Sequence, residues 1–348
     1  MRAAVLRDGR MVQRDDVAEP VPETGQVLVA VKACGICGSD LHFAAHGEQM
    51  VRLTRELKGM PIEGGLRVDL AKDVFMGHEF SAEVLEPGPD TDAPPPGTMV
   101  TSLPVLLSPN GFEPILTSNT TIGGFAERML LSAPLLLTIP NGLDPKLASL
   151  TEPMAVGLHA VNKSAIEPGD VALVVGCGPI GLAIVAALRR RGVEHIAAAD
   201  YSAKRRDLAI TMGAHQVLDP AQGSPFDGVA PTVVFEAVGV PGIVNDMMRR
   251  APLGARLVIA GVCMEADPIQ PLFGVAKEIS VQFVNAYDAE EFADSLRAIA
   301  EGEVDVAPLI TAEVGLDGVG AAFDDLADPD AHCKILVTPA TSPTSGGR

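Results

Sequence analysis

Two stretches near the start of the chain carry strand patterns: an apolar run at 3–6, and a period-two alternation of apolar and polar positions at 26–32. Pro20, Pro22 and Gly25 place a turn between them. Positions 51–58 fit a short amphipathic helix and 61–65 a turn, and 92–97, with three consecutive prolines, reads as a loop. Further strands are predicted at 80–85, 123–131 and 135–139, so the first 140 residues are rich in strands and loops. Near Leu143 the texture changes. Positions 144–161 read as helix, followed by a strand at 171–175, a helix to about 191, a strand at 195–199 and a helix at 203–212. Strands at 232–235 and 256–260 continue the series, and this alternation predicts a parallel sheet flanked by helices. Positions 288–302 and 316–327 have helical spacing, 333–338 reads as a strand, and 339–348 as a frayed tail.

Composition narrows the class. At 348 residues the chain is too long for one ordinary core, so two domains are expected. With aromatic residues at 4% and no Trp, aliphatic packing must fill both cores. A formal charge of −19 argues against nucleic acid and anionic membrane surfaces as partners, since both require basic patches. No apolar run approaches the roughly 20 residues of a membrane-spanning helix, and the first residues lack a signal-peptide core. Five cysteines suit a reducing cytoplasm better than a disulfide framework.

Two motifs carry chemistry. Gly176-Cys-Gly178-Pro179-Ile180-Gly181 follows a strand and opens a helix, the context in which G-x-G-x-x-G cradles a dinucleotide pyrophosphate. Asp200 ends the next strand, where an acid bonds the adenosine ribose and repels a 2′-phosphate, so NAD is expected over NADP. Lys204, Arg205 and Arg206 follow directly. Arg205, Val238, Gly261 and Val262 complete the candidate cofactor contacts. The second motif is Cys34-Gly-Ile-Cys37-Gly-Ser39-Asp40-Leu-His42, joined downstream by Gly77-His78-Glu79. Thiolate, imidazole and carboxylate suit Zn²⁺. Cys37 is the first candidate ligand and His78 the second, with Glu79 or Glu152 as the third.

The nonapeptide, with Gly-His-Glu and Glu152-Pro-x-x-Val-Gly-x-His, resembles the medium-chain zinc-dependent alcohol dehydrogenases, in particular their sorbitol and polyol branch. That resemblance spans essentially the whole chain and implies an α/β architecture in two domains. A GroES-like β-rich catalytic domain would cover 1–155 and 286–348, and a Rossmann domain with a doubly wound parallel sheet 156–285. It implies Cys37 and His78 as zinc ligands with a Glu third, Ser39 and His42 as a proton relay, Asp40 orienting a ligand, and Cys34 as packing. It also implies interconversion of an alcohol with its ketone or aldehyde, and pairing of nucleotide domains through edge strands near 279–285 into a dimer or tetramer. The rival readings are a zinc-free quinone or enone reductase on the same fold, and a non-catalytic nucleotide-binding protein.

Several positions depart from those relatives. No cysteine lies between Gly77 and Cys177, so a structural zinc on four cysteines is not expected. The interval from Gly47 to Gly77 looks longer than in polyol relatives. Phe43 stands where sorbitol-type enzymes have Tyr, and Val284-Asn-Ala286-Tyr287 lacks their Arg. Fewer polar groups disfavour a multi-hydroxyl substrate, so a less polar secondary alcohol is expected.

Overall fold

The computed structural model describes residues 1–57, 66–108 and 111–340; the turn expected at 61–65 and most of the tail lie outside them. The chain divides into two compact units: Met1–Glu152 with Ile310–Asp328 and Lys334–Arg348, and Pro153–Leu309 with Pro329–Cys333. The second unit therefore extends to Leu309, beyond the 285 expected from sequence.

The first unit is built on β1 (Ala3–Arg7), β2 (Arg10–Arg14), β3 (Gln26–Gly35), α1 (Gly38–Glu56), β4 (Val74–Met76), β5 (Glu79–Pro87) and β6 (Met99–Ser102). There follow β7 (Val105–Ser108), β8 (Gly111–Pro114), β9 (Thr117–Ser118), β10 (Arg128–Ser132), β11 (Leu136–Thr138) and α2 (Pro145–Ala148). The boundary between the units falls inside α3 (Thr151–Lys163). The helix expected over 144–161 is thus two helices, the first started by Asp144, whose carboxylate accepts the Lys146 N–H.

The larger sheet of this unit runs β11-β6-β5-β3 and continues through two strands from the far end of the chain, with β10 also on β3. Its register explains the site. Gly35, ending β3, pairs with Glu79, beginning β5, so the segments after positions 35 and before 79 leave the sheet side by side. Alternate positions of β3 and β5 feed a core that includes Val29, Val31, Phe80, Ala82 and Val84.

The sequence places a helix only at 51–58, but α1 begins directly after Cys37 and is kinked at His46 (φ −129°, ψ 22°). Its weak opening residues, Gly38 and Ser39, hide the start. Asp40 supplies it, accepting the Cys37 N–H at 2.9 Å. Phe43, Gly47 and Val51, spaced by four, form its buried face. Phe43 is 1% exposed and packs in the core of this unit.

The second unit comprises β12 (Val171–Val175), α4 (Pro179–Arg190), β13 (His195–Ala199), α5 (Ala203–Met212), β14 (Gln216–Leu218), β15 (Val233–Glu236) and α6 (Ile243–Arg250). It ends with β16 (Arg256–Ile259), α7 (Pro271–Lys277), β17 (Ser280–Phe283) and α8 (Ala289–Ala300). All six strands are parallel, in the order β14-β13-β12-β15-β16-β17. The order reverses at β12, the topological switch point where such sheets bind ligands. Phe292, Leu296 and Ile299 of α8 are buried, and Arg190 of α4 donates twice to Asp294 of α8. These contacts hold 289–300 in the second unit.

The chain then returns to the first unit with β18 (Ile310–Val314), α9 (Val319–Asp325) and β19 (Lys334–Val337). β19 pairs antiparallel with β3, Leu336 opposite Gly35. Among the described residues, no helix is long and apolar enough to cross a membrane.

Candidate functional site

At the junction of β3, α1 and β5, donor atoms of Cys37, His78 and Glu79 lie within 4.8 Å of one another. Cys37 caps the start of α1. His78 and Glu79 are buried. Asp40, 2% exposed, has its Oδ1 3.6 Å from His78 Nδ1, a nitrogen that makes no hydrogen bond. On the other side of the ring, Ser39 Oγ lies 3.4 Å from His78 Nε2.

The electrostatics suit a cation. Burial works to lower the His78 imidazole, yet Asp40, Cys37 and Glu152 outweigh it and hold it well above its usual range. Burial pushes Asp40 up to about 6, against the pull of His78. Clustered anionic groups thus draw positive charge toward His78, and thiolate, imidazole and carboxylate are donors that zinc takes. The residues fit the metal.

Glu152, in the first turn of α3, is 9% exposed and falls outside the group of three, although its charge reaches His78. Glu79 is already engaged: both its oxygens accept from Lys334 Nζ at 2.7 Å, and Lys334 also donates to the Ile36 carbonyl at 3.0 Å. Sequence reasoning passed over Lys334. Its signal was a lone cation in the apolar strand Lys334-Ile-Leu-Val, which a buried strand tolerates only with a partner.

His42 is half-buried, and its ring stacks on that of His46 with centroids 6.4 Å apart. Burial, then the neighbouring His46, lowers its pKa. Among the described residues no hydrogen bond joins Ser39 to His42. Cys34 is buried in the core, as expected of a packing residue, and burial raises its thiol far above the usual range.

The glycine motif occupies the turn from β12 into α4. Gly176 has φ +94°, and a Cβ on Gly181 would lie 1.9 Å from the Gly176 carbonyl oxygen, so neither position admits a side chain. By contrast, a Cβ on Gly178 would find only Arg205 Nη1, at 3.9 Å, which leaves that backbone open to a ligand. Pro179 and Ile180 form the first turn of α4. Asp200 Oδ2 accepts the Cys177 N–H and Oδ1 the Ser202 N–H, both at 2.8 Å. Burial pushes the Cys177 thiol up to about 12.

Two of the three following cations are occupied: Lys204 donates to the Asp330 carbonyl, and Arg206 to the carbonyls of Asp200 and Tyr201. Arg205 Nε is buried without a hydrogen-bond partner. Val238 and Val262 are exposed at the same C-terminal edge of the sheet, beside Gly261.

Residues 23–141 match the alcohol dehydrogenase GroES-like domain, and 179–301 match the family described as zinc-binding dehydrogenase. The chain is 31% identical to (R,R)-butanediol dehydrogenase of Bacillus subtilis, covering 97% of this chain and all of the relative. The crystal structure of 2R,3R-butanediol dehydrogenase from Bacillus subtilis superposes with a TM-score of 0.79 at 29% identity, covering 97% of this chain and 99% of the other. A zinc-binding dehydrogenase from Sinorhizobium meliloti bound to NADP gives 0.80 at 28% identity, with coverage of 97% and 99%.

Proposed function

The chain belongs to the zinc-binding alcohol dehydrogenase family, and on that premise we propose that it interconverts a secondary alcohol and its ketone with NAD. The observation that carries this reading is the cluster of half-buried Cys37 with buried His78 and Glu79, whose anionic surroundings call for a cation. The same cluster disfavours a zinc-free quinone or enone reductase. Similarity to butanediol dehydrogenases, whose substrate name places hydroxyls on two secondary carbons, supports a short secondary alcohol or vicinal diol.

Cys37 and His78 would hold one zinc per chain, with Glu79 or Glu152 as third donor; Glu79 is nearer but is bound to Lys334. When bound, the zinc supplies Lewis acidity toward the substrate oxygen and the nicotinamide supplies the hydride acceptor. Asp40, 3.6 Å from His78 Nδ1, would orient the ring through its charge. Ser39 Oγ, on the Nε2 side, stands to take the hydroxyl proton. His42, lowered by burial and by His46, is the neutral base that receives it through a bridging hydroxyl or water. With no cysteine from 78 to 176, the chain offers no donors for a four-cysteine structural zinc there.

In the second unit, Gly178 and the start of α4 would receive the pyrophosphate, and Asp200 the adenosine ribose. NADP is the second reading, favoured by the unpaired Arg205 Nε and by the NADP-bound relative. The exposed β17, with Phe283 68% exposed, supports pairing of two copies along that edge. None of the five cysteines is in a disulfide, which supports work in the reducing cytoplasm.

The deciding experiment is metal content per chain, alongside reduction of NAD⁺ and NADP⁺ with 2,3-butanediol, simple secondary alcohols and sorbitol. One zinc per chain is expected, with turnover lost on chelation. Cys37→Ser and His78→Ala should each lose zinc and more than about 100-fold in kcat/KM. Full turnover by metal-free protein would overturn the reading.

A further inference from the structure

The helix that carries Ser39 and His42 holds a second imidazole, His46, which takes no proton in the steps above. Four positions apart, His42 and His46 lie one turn from each other on one side of α1. Their rings stack at an interplanar angle of 29° with centroids 6.4 Å apart, a span that one water bridges. The face of α1 that carries Phe43, Gly47 and Val51 is buried, and a Cβ on Gly47 would meet Leu70 Cδ2 at 3.4 Å and Phe43 Cε1 at 3.6 Å. That close packing fixes the helix, so the histidine side cannot turn inward.

Exposure rises along the pair: His42 is half-buried and His46 is exposed. His46 lines a cleft of about 720 Å³ and His42 a neighbouring cleft of about 800 Å³, both with ample room for water. The charged groups that face the two rings are Asp8 between β1 and β2, Arg10 at the start of β2, Glu48 and Arg52 of α1, and Asp324 of α9. Acids outnumber bases among them, so together they do not repel a proton on either ring. Burial, then the charge of His46, works against a cation on His42. Water favours the charge on the more exposed ring, so a proton that reaches His42 gains by moving outward.

We propose that His46 is the exit station of the proton path: it takes the proton from His42 across one bridging water and releases it to the water of its cleft, leaving His42 neutral for the next turnover. This rests on the relay through Ser39 and His42 given above. The balance is that of alcohol oxidation. The O–H and C–H bonds of the alcohol break, the C–H electron pair leaves with the hydride, and the hydroxyl proton passes by way of Ser39, His42 and His46 to solvent. His46 acts through His42 alone, and its imidazole ends each turnover in the protonation state in which it began.

The test is stopped-flow oxidation of 2,3-butanediol by the full-length, zinc-loaded protein in weak buffer, with NAD⁺, or NADP⁺ if the wild type prefers it. Absorbance of the reduced cofactor and proton release to an indicator dye are followed together for the wild type, His46→Gln and His42→Gln, with thermal unfolding of each in parallel. In the wild type the two signals should rise together. In His46→Gln the dye is expected to lag the reduced cofactor by about tenfold in rate. Adding HEPES as an external proton acceptor should raise the steady-state turnover of His46→Gln and leave that of the wild type as it was. NMR titration of the His42 ring in the metal-free protein gives a reading independent of turnover: without the neighbouring imidazole its midpoint should move up. Signals that rise together in His46→Gln, a turnover indifferent to HEPES, or an unmoved His42 midpoint would overturn the proposal. If His46→Gln does not fold, His46→Ala decides on the same expectations. His42→Gln separates the two readings. If it slows formation of the reduced cofactor while His46→Gln behaves as the wild type, the relay stands and the exit at His46 falls. If His42→Gln has wild-type kinetics, or the wild type oxidises no alcohol, relay and proposal fall together.

Discussion

Lys334 and Glu79 form an ion pair buried almost completely, at 1% and 0% exposure. Such a pair adds little net stability, but breaking it strands a charge in a medium that cannot solvate it. Lys334→Met in the metal-free protein is expected to cost about 3–5 kcal/mol in urea unfolding. Adding Glu79→Gln should return a large part of that loss, since no charge is then left unpaired. A single variant as stable as the wild type would mean that Glu79 is neutral or finds another cation. The effect on zinc follows the same geometry: Lys334 fixes both oxygens of Glu79, so Glu79→Gln and Glu152→Gln should differ in zinc retention. The larger loss identifies the third donor.

Among elements, α4 and α8 are tied by charge as well as by apolar packing. Arg190 of α4 donates to Asp294 of α8 and to Glu303, and Arg297 adds a further bond to Asp294. The hydrogen bonds from Arg190, then those from Arg297, outweigh burial and hold Asp294 at about 2, below the usual 3.8. A depressed carboxylate stabilises the fold fully above its unfolded pKa near 4, and the contribution disappears as pH falls from about 4 to 2. Asp294→Asn should therefore be less stable near pH 7, by about 1 kcal/mol after solvent screening. Its deficit should close between pH 4 and pH 2 in thermal unfolding. A deficit that persists unchanged at pH 2 would assign the effect to packing. The elements most legible in the sequence were β12, α4, β13 and α5, because a buried parallel strand is a continuous apolar run and each helix is punctuated at its ends. Positions 38–50 of α1 were not legible, because Gly38 and Ser39 disfavour helix locally and the buried face with Phe43 and Gly47 compensates only once the sheet is present.

For the whole molecule, the exposed edge is the feature with the clearest consequence. All four residues of β17 are exposed, Phe283 at 68%, and α7 before it exposes Leu272 at 64% and Val275 at 76%. A strand with one edge unpaired and apolar side chains exposed is a template for another strand. Size-exclusion chromatography with light scattering should find a dimer or a multiple of it, and Phe283→Asp with Val275→Asp should shift it toward monomer. A wild type that is monomeric at high concentration would end that reading.

The linear chain by itself determined the chemistry and the class of fold. A glycine turn between strand and helix, an acid at the end of the next strand, and a thiolate beside imidazole and carboxylate are local patterns, and each function they imply is local too. What only the tertiary structure decided depends on residues far apart in sequence. Lys334 reaches Glu79, 255 positions away in the chain, because β19 returns to pair with β3. α8 joins the second unit because its buried face meets that core, although by position it lies past the expected boundary. That Phe43 packs in the core was likewise decided by the fold, since spacing along a helix specifies which residues share a face but not what that face meets. Burial and pairing are set by register and packing between distant segments, and a sequence pattern holds that information only after the segments have met.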